Sequence, residues 1–410
     1  MRDTRMTFNS SDTCATTHEK PATPASGGVL LLVGIALTAA NLRPATTSVA
    51  ALLATARHAL GASTTWVSLI TAMPTLCFGT AAIAAPWMAR RIGIHRAVWS
   101  GLTLLTLSLV GRLIDGAWSL FADVVLSCAA IAVCNVLIPV VVKQAFLTKV
   151  GQVAGIYSAT MAAGGAAGSA ASPWLQSAFG SWRLALAAWA VLSLGAWLVW
   201  ASCGPALAVP RASNGPDTAG RRRSLFRSGL AWILTGYFAA QTVVAYVIMG
   251  WLPRMFSDAG MSTGQAGLIL GAVLLLNIPM SLLLPPAAAR SPSQSAWAVG
   301  LACASLAGSV GLLTAPVAGA WIWALLLSIG ITSFPLALTL VPLRTVDPVD
   351  TARLSTMMQS TGYLLATVGP LLFGLLRQAT GTWHLSLIAL LVAVVLQTVL
   401  GAPAGRPRTV

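Results

Sequence analysis

Apolar residues come in long runs from Gly28 almost to the end of the chain, broken only by short stretches of Gly, Pro, Ser, Asn and basic residues. A run of about 20 apolar residues in a helix rising 1.5 Å per residue matches the hydrocarbon thickness of a bilayer. The runs predict twelve helical spans, near 28–56, 65–89, 97–114, 118–141, 151–176, 184–202, 229–251, 264–287, 296–315, 319–342, 353–376 and 385–402. Two stretches break the pattern. Residues 1–27 are polar, without the apolar core of a cleaved signal, and are expected to be a disordered cytoplasmic tail. Residues 203–228 are rich in Pro, Gly and Ser, carry Arg221, Arg222, Arg223 and Arg227, and are expected to be a cytoplasmic linker. The expectation is an all-α membrane protein with a six-helix bundle over 28–202, a second over 229–402, and a short cytoplasmic tail over 403–410.

Composition sharpens this reading. Of 410 residues 57% are hydrophobic and 8% charged, where a soluble domain carries about 25% charged residues. The formal charge of +15 does not point to nucleic acid, because the arginines mark the ends of apolar runs and form no basic stripe with interleaved aromatics. They report topology instead. Both tails and the loops after even-numbered spans hold 18 Lys and Arg residues, against 5 in the opposite set (Arg57, Arg112, Arg183, Arg254 and Arg377). Both termini are therefore expected in the cytoplasm, the chain being multi-pass in the cell's inner (plasma) membrane. Trp66, Trp118, Trp182, Trp251 and Trp383 fall at the opposite ends, as an interfacial belt requires. The 6 cysteines lie in the tail or in apolar segments without a CxxC pair, so no disulfide, metal site or cofactor is expected.

The halves repeat. Gly61-Ala62-Ser63-Thr64 with Leu69-Ile70 returns at Gly260-Met261-Ser262-Thr263 with Leu268-Ile269. Gly180-Ser181-Trp182-Arg183-Leu184 returns at Gly381-Thr382-Trp383-His384-Leu385. Six spans repeated in the same sense describe a transporter whose halves rock about a site at the bilayer midplane.

One charge stands apart from the topology set. Arg43 lies in mid-span within Asn41-Leu42-Arg43-Pro44, where an arginine that cannot lose its proton costs at least ~2.5 kcal/mol. Pro44 lacks the N–H that would bond the Ala40 carbonyl. Broken backbone beside a buried cation marks a helix that lines a binding site; the alternative is a snorkelling or structurally paired arginine.

The chain resembles the cyanate and 2-nitroimidazole transporters of the major facilitator superfamily. The resemblance rests on Asn41-Leu42-Arg43-Pro44 with Thr47-Ser48-Val49 in the first span, and on Asn135-Val136-Leu137-Ile138-Pro139 with Lys143 in the fourth. It continues with Gln241 and Trp251-Leu252-Pro253 in the seventh span. In the eleventh it rests on Gln359-Ser360-Thr361-Gly362-Tyr363 and Gly369-Pro370-Leu371-Leu372-Phe373-Gly374. It implies the major facilitator fold and transport of a small anionic or polar organic solute by alternating access. After the second span the chain departs from the superfamily pattern: Pro86 replaces a glycine and Arg90 an acidic residue, so the gating role of that acid does not transfer. Asp123 also stands where a small residue is expected.

The expected solute contacts are Arg43, Asn41, Gln241, Tyr246, Gln359, Tyr363 and Asn135, with Asp123 as a possible coupling group. Ser355, Gln359 and Tyr363 lie at spacing four and form one polar stripe; Tyr237 and Gln241 are four apart on the seventh span. Arg43 offers a planar fork of donors suited to a small anion, nitro or carboxylate group. Asn41, about 200° round an ideal helix from Arg43, shares its cavity only if Pro44 disturbs the winding and otherwise braces a neighbour. The amides could equally be helix-to-helix bonds. Lys143 reads as a snorkelling topology lysine. Gly164, Gly168 and Ser172 read as a packing stripe that helps the halves slide. An enzyme is not indicated: no HExxH motif, Ser-His-Asp set or paired carboxylates occur within the spans. The 26-residue linker is too short for a sensor's signalling domain. The expected partners are a small-molecule solute and the lipid bilayer, with the chain a monomer.

Overall fold

The computed structural model describes residues 25–146, 149–203 and 225–410. Nearly all of the expected N-terminal tail and linker lies outside the described residues. Within them the chain forms sixteen α-helices, of which four consecutive pairs continue one another, leaving twelve rods. The first rod is α1 (Ala25–Asn41) and α2 (Pro44–Leu60); the second is α3 (Thr64–Ala81) and α4 (Ala84–Ile92). Then come α5 (Ile94–Gly111), α6 (Ala117–Ala145), α7 (Val150–Phe179), and the pair α8 (Trp182–Ala187) and α9 (Trp189–Ser202). The second set is α10 (Gly229–Asp258), α11 (Thr263–Arg290), α12 (Ser295–Thr314), the pair α13 (Ala320–Ile331) and α14 (Ser333–Leu343), α15 (Pro348–Thr380) and α16 (His384–Ala404). The rods assemble as two six-helix bundles that meet along α7 against α11, and along α3 and α6 against α15.

Local chemistry explains the boundaries. The repeated glycines Gly61, Gly180, Gly260 and Gly381 all have φ between 59° and 98°, a backbone that ends a helix and that side chains with a Cβ resist. Ser63 and Ser262 then cap α3 and α11 by accepting from the backbone N–H of Trp66 and Gln265. The repeat is thus a pair of helix stop-and-start signals used twice. The eleventh rod begins five residues before the apolar pattern does, because Asp347 caps it and Pro348 occupies its first turn.

Each bundle also carries a matched brace at the end remote from Val410. Arg183 pairs with Asp115 and lies 4.7 Å over the Trp182 ring. Arg377 pairs with Asp258 at 3.2 Å and lies 5.0 Å over Trp383. At the opposite end Arg344, expected in a loop, is buried; it donates to the carbonyls of Ala404 and Gly405 and to Gln294, anchoring the C-terminal segment.

The glycine stripe of α7 does not lie where the bundles slide. A Cβ on Gly164 would stand 2.1 Å from the Ala40 carbonyl oxygen, and one on Gly168 would stand 2.3 Å from Thr47 Oγ1. Both therefore pack α7 onto α1 and α2 inside the first bundle. The contact between bundles uses Gly151 and Gly155 instead, which abut Ala289 and the Leu282 carbonyl of α11. Gly164→Ala is expected to lower the melting temperature of the purified protein, by roughly 1–3 kcal/mol of overpacking. Gly195→Ala, where a Cβ meets nothing within 4 Å, should leave it unchanged or slightly raised.

Candidate solute-binding site

A cavity of about 80 Å³ lies between the bundles, walled by α2, α7, α10, α11 and the α13–α14 junction. One water requires roughly 10–15 Å³, so the space is large enough for a small solute. Arg43, the residue before α2, is the one charged residue in its lining. The side-chain stem rests on Gly165, where a Cβ would stand 3.1 Å from Arg43 Cβ, and the guanidinium carbon lies 5.3 Å from the centre of the Phe334 ring on α14. Among the described residues the guanidinium has no ion pair and no hydrogen bond. The phenols of Tyr157, Tyr246 and Tyr363 lie within its electrostatic reach.

The break that positions Arg43 follows from Pro44. Leu42 N–H turns back to Ala39 at 3.1 Å, and Arg43 O restarts the ladder by accepting from Thr46 and Thr47. Arg112, expected in a loop, is buried behind this break; it donates to the Ala45 carbonyl at 2.7 Å and to Ser48 at 3.4 Å. A lone Arg at the end of an apolar run carries no mark that distinguishes this role from topology.

The other expected contacts divide. Tyr246 lines the cavity with Thr242 and Met249, one stripe of α10. Gln241 is one residue off that stripe, about 100° round the helix; it donates to Thr242 at 2.7 Å while its carbonyl oxygen is buried without a partner. Tyr237 faces α16, against Gly401. Tyr363 packs edge-on to Phe238 at 5.2 Å and against Phe78 at 5.3 Å, beside the cavity and outside its lining.

Three amides serve as braces. Asn41 points away from the cavity and donates to the carbonyls of Leu37 and, on α9, Leu192 at 2.8 and 3.1 Å. Asn135 accepts the Tyr157 hydroxyl at 2.7 Å. Gln359 donates to Ser355 and, across the bundles, to the Asn135 carbonyl at 3.2 Å. Pro139 leaves that carbonyl without its helical donor, so the bond fills a gap that proline creates. Asp123, the possible coupling group, lies against Gly111 in the electrostatic field of Arg112 and is absent from the cavity lining. The residues missed were those of α7 and α11: Ser158, Met161, Gly165, Asn277 and Ser281. Their only signal was two serines and an asparagine on otherwise apolar faces.

Residues 29–370 match the profile of the Major Facilitator Superfamily. The chain belongs to that superfamily. The 2-nitroimidazole transporter of Escherichia coli (strain K12) is 34% identical over 388 residues, which cover 93% of this chain and 97% of the relative. The cyanate transport protein CynX of the same organism is 29% identical over 357 residues, 87% of this chain and 90% of the relative. In fold, the chain is similar to the proton:xylose symporter XylE bound to 6-bromo-6-deoxy-D-glucose. The TM-score is 0.78 at 12% identity, over 94% of this chain and 98% of that one.

This facilitator is a secondary transporter, and its bundles are latched at the end that holds Val410. Lys143 is not a snorkelling residue there: its ammonium donates across the bundles to the Pro342 carbonyl at 2.6 Å and to the Thr345 carbonyl. Deeper along the seam Ser355 donates to the Val136 carbonyl at 3.2 Å, beside the Gln359 bond. Arg90 cannot act as the superfamily's gating acid, and these carbonyl contacts occupy the corresponding end. Lys143→Met removes two charge-assisted bonds of about 1.5–3 kcal/mol each. With spin labels at Gln152 and Arg290, the variant is expected to shift population toward longer distances by roughly a hundredfold or more.

Proposed function

We propose that this facilitator carries a small monovalent anion or similarly polar organic solute, held at Arg43 between the bundles and released by their rocking. One observation supports this most strongly: a permanent cation lines the central cavity with no carboxylate partner among the described residues. An unpaired guanidinium in a low-dielectric chamber attracts an anion far more strongly than it would in water. The names of the relatives agree in chemistry, since cyanate is a monovalent anion and a nitro group offers two partly negative oxygens to a planar fork. The lining includes no titratable carboxylate or histidine, so the charge movement we assign to the cycle is that of the solute.

The excess of Lys and Arg on one side supports a reading in which both termini lie on the cytoplasmic face of a bacterial inner membrane. On that orientation Lys143 closes the cytoplasmic end. Arg43→Ala is expected to reduce solute flux in proteoliposomes at least tenfold, with normal membrane yield and melting temperature, and Arg43→Lys to restore part of it. Cyanate and 2-nitroimidazole are the first solutes to measure. Flux of both at wild-type rates in Arg43→Ala would remove the arginine from the site.

A further inference from the structure

The charged pole of the cavity is matched by an uncharged one. On α7 the lining residues Ser158, Met161 and Gly165 follow one face, and Ser158 is seven residues, about 10 Å, along the axis from the glycine under Arg43. The Ser158 side chain is 2% exposed, and its hydroxyl has no hydrogen-bond partner. A buried hydroxyl left unpaired is destabilising, a cost that a hydrogen-bonding ligand would recover. Because α7 and α11 run antiparallel with Gly155 against Leu282, Ser281 lies at the same level. It is 1% exposed and donates its proton to Asn277 Oδ1 at 3.2 Å, so its own lone pairs are left as acceptors. Asn277 is held in turn by Thr332 at 3.2 Å.

This end therefore offers one hydroxyl able to donate and one able only to accept, with no cation. Elsewhere the wall is largely apolar, with Met161, Met249 and Phe334 among its residues. Resting on the assignment of Arg43 as the anion site, we propose that the solute is a small organic monoanion. It has an apolar middle and a neutral hydroxyl at the end remote from its charge, bound by Ser158 and Ser281. A second carboxylate would meet no counter-charge at that end and be rejected.

The test measures binding of butanoate, 4-hydroxybutanoate, pentanoate and succinate to the purified full chain by calorimetry, with melting temperature as the folding control. In the wild type, 4-hydroxybutanoate should bind roughly tenfold more tightly than pentanoate, its methyl isostere, and succinate more weakly than either. Ser158→Ala should bring that ratio close to one, and Ser281→Ala should reduce it, neither moving the melting temperature. Arg43→Ala should lose all of the monoanions. Equal binding of the hydroxy acid and pentanoate in the wild type, both lost in Arg43→Ala, would overturn the hydroxyl pole and leave the anion site standing. Failure of every acid to bind, or full binding in Arg43→Ala, would overturn both.

Discussion

Prolines inside the helices leave carbonyls without their donor four residues on, and the structure is arranged to cover them. Three cases organise the molecule. Pro44 frees the carbonyl of Ala40, which Gly164 covers at backbone contact. Pro139 frees Asn135, which Gln359 reaches from the other bundle. Pro286 frees Leu282, against which Gly155 is packed. In hydrocarbon each uncovered carbonyl would cost several kcal/mol. The first case fixes the helix break that presents Arg43; the other two lie on the seam between bundles.

That seam is built from donors meeting backbone oxygens. Lys143, Ser355 and Gln359 all donate to carbonyls across it, and Gly151 and Gly155 permit close approach beside them. Such contacts are directional and, although Asp347 attracts Lys143 from a distance, none is a close pair of opposed charges among the described residues, so they hold one arrangement without the large desolvation cost of a buried ion pair. A protein that must alternate between two packings needs contacts of this intermediate strength.

Much of the fold was legible in the sequence, because span length is dictated by the bilayer and the glycine and serine caps act within a few residues of themselves. The place of Arg43 was legible for the same reason: its cost and its proline are both local. The partners of the polar side chains were not. Asn41, Asn135 and Gln359 look alike as intramembrane amides, and only the tertiary packing shows them bonded to carbonyls of other segments or to Tyr157. Arg112 and Lys143 likewise resemble the arginines and lysines that mark topology, until their acceptors on other helices come into view. On α10 the cavity falls on Thr242 and not on its neighbour Gln241, a difference of one helical step that amphipathicity cannot resolve in a rod apolar all round.

The ring contact of Arg43 has a consequence for movement between the bundles. Phe334 belongs to one bundle and Arg43 to the other, so the cavity is bridged by an attraction worth only ~1–2 kcal/mol. Under the proposed function, a bound anion would replace that ring contact with a full counter-charge. A bridge this weak ties the halves together without fixing them.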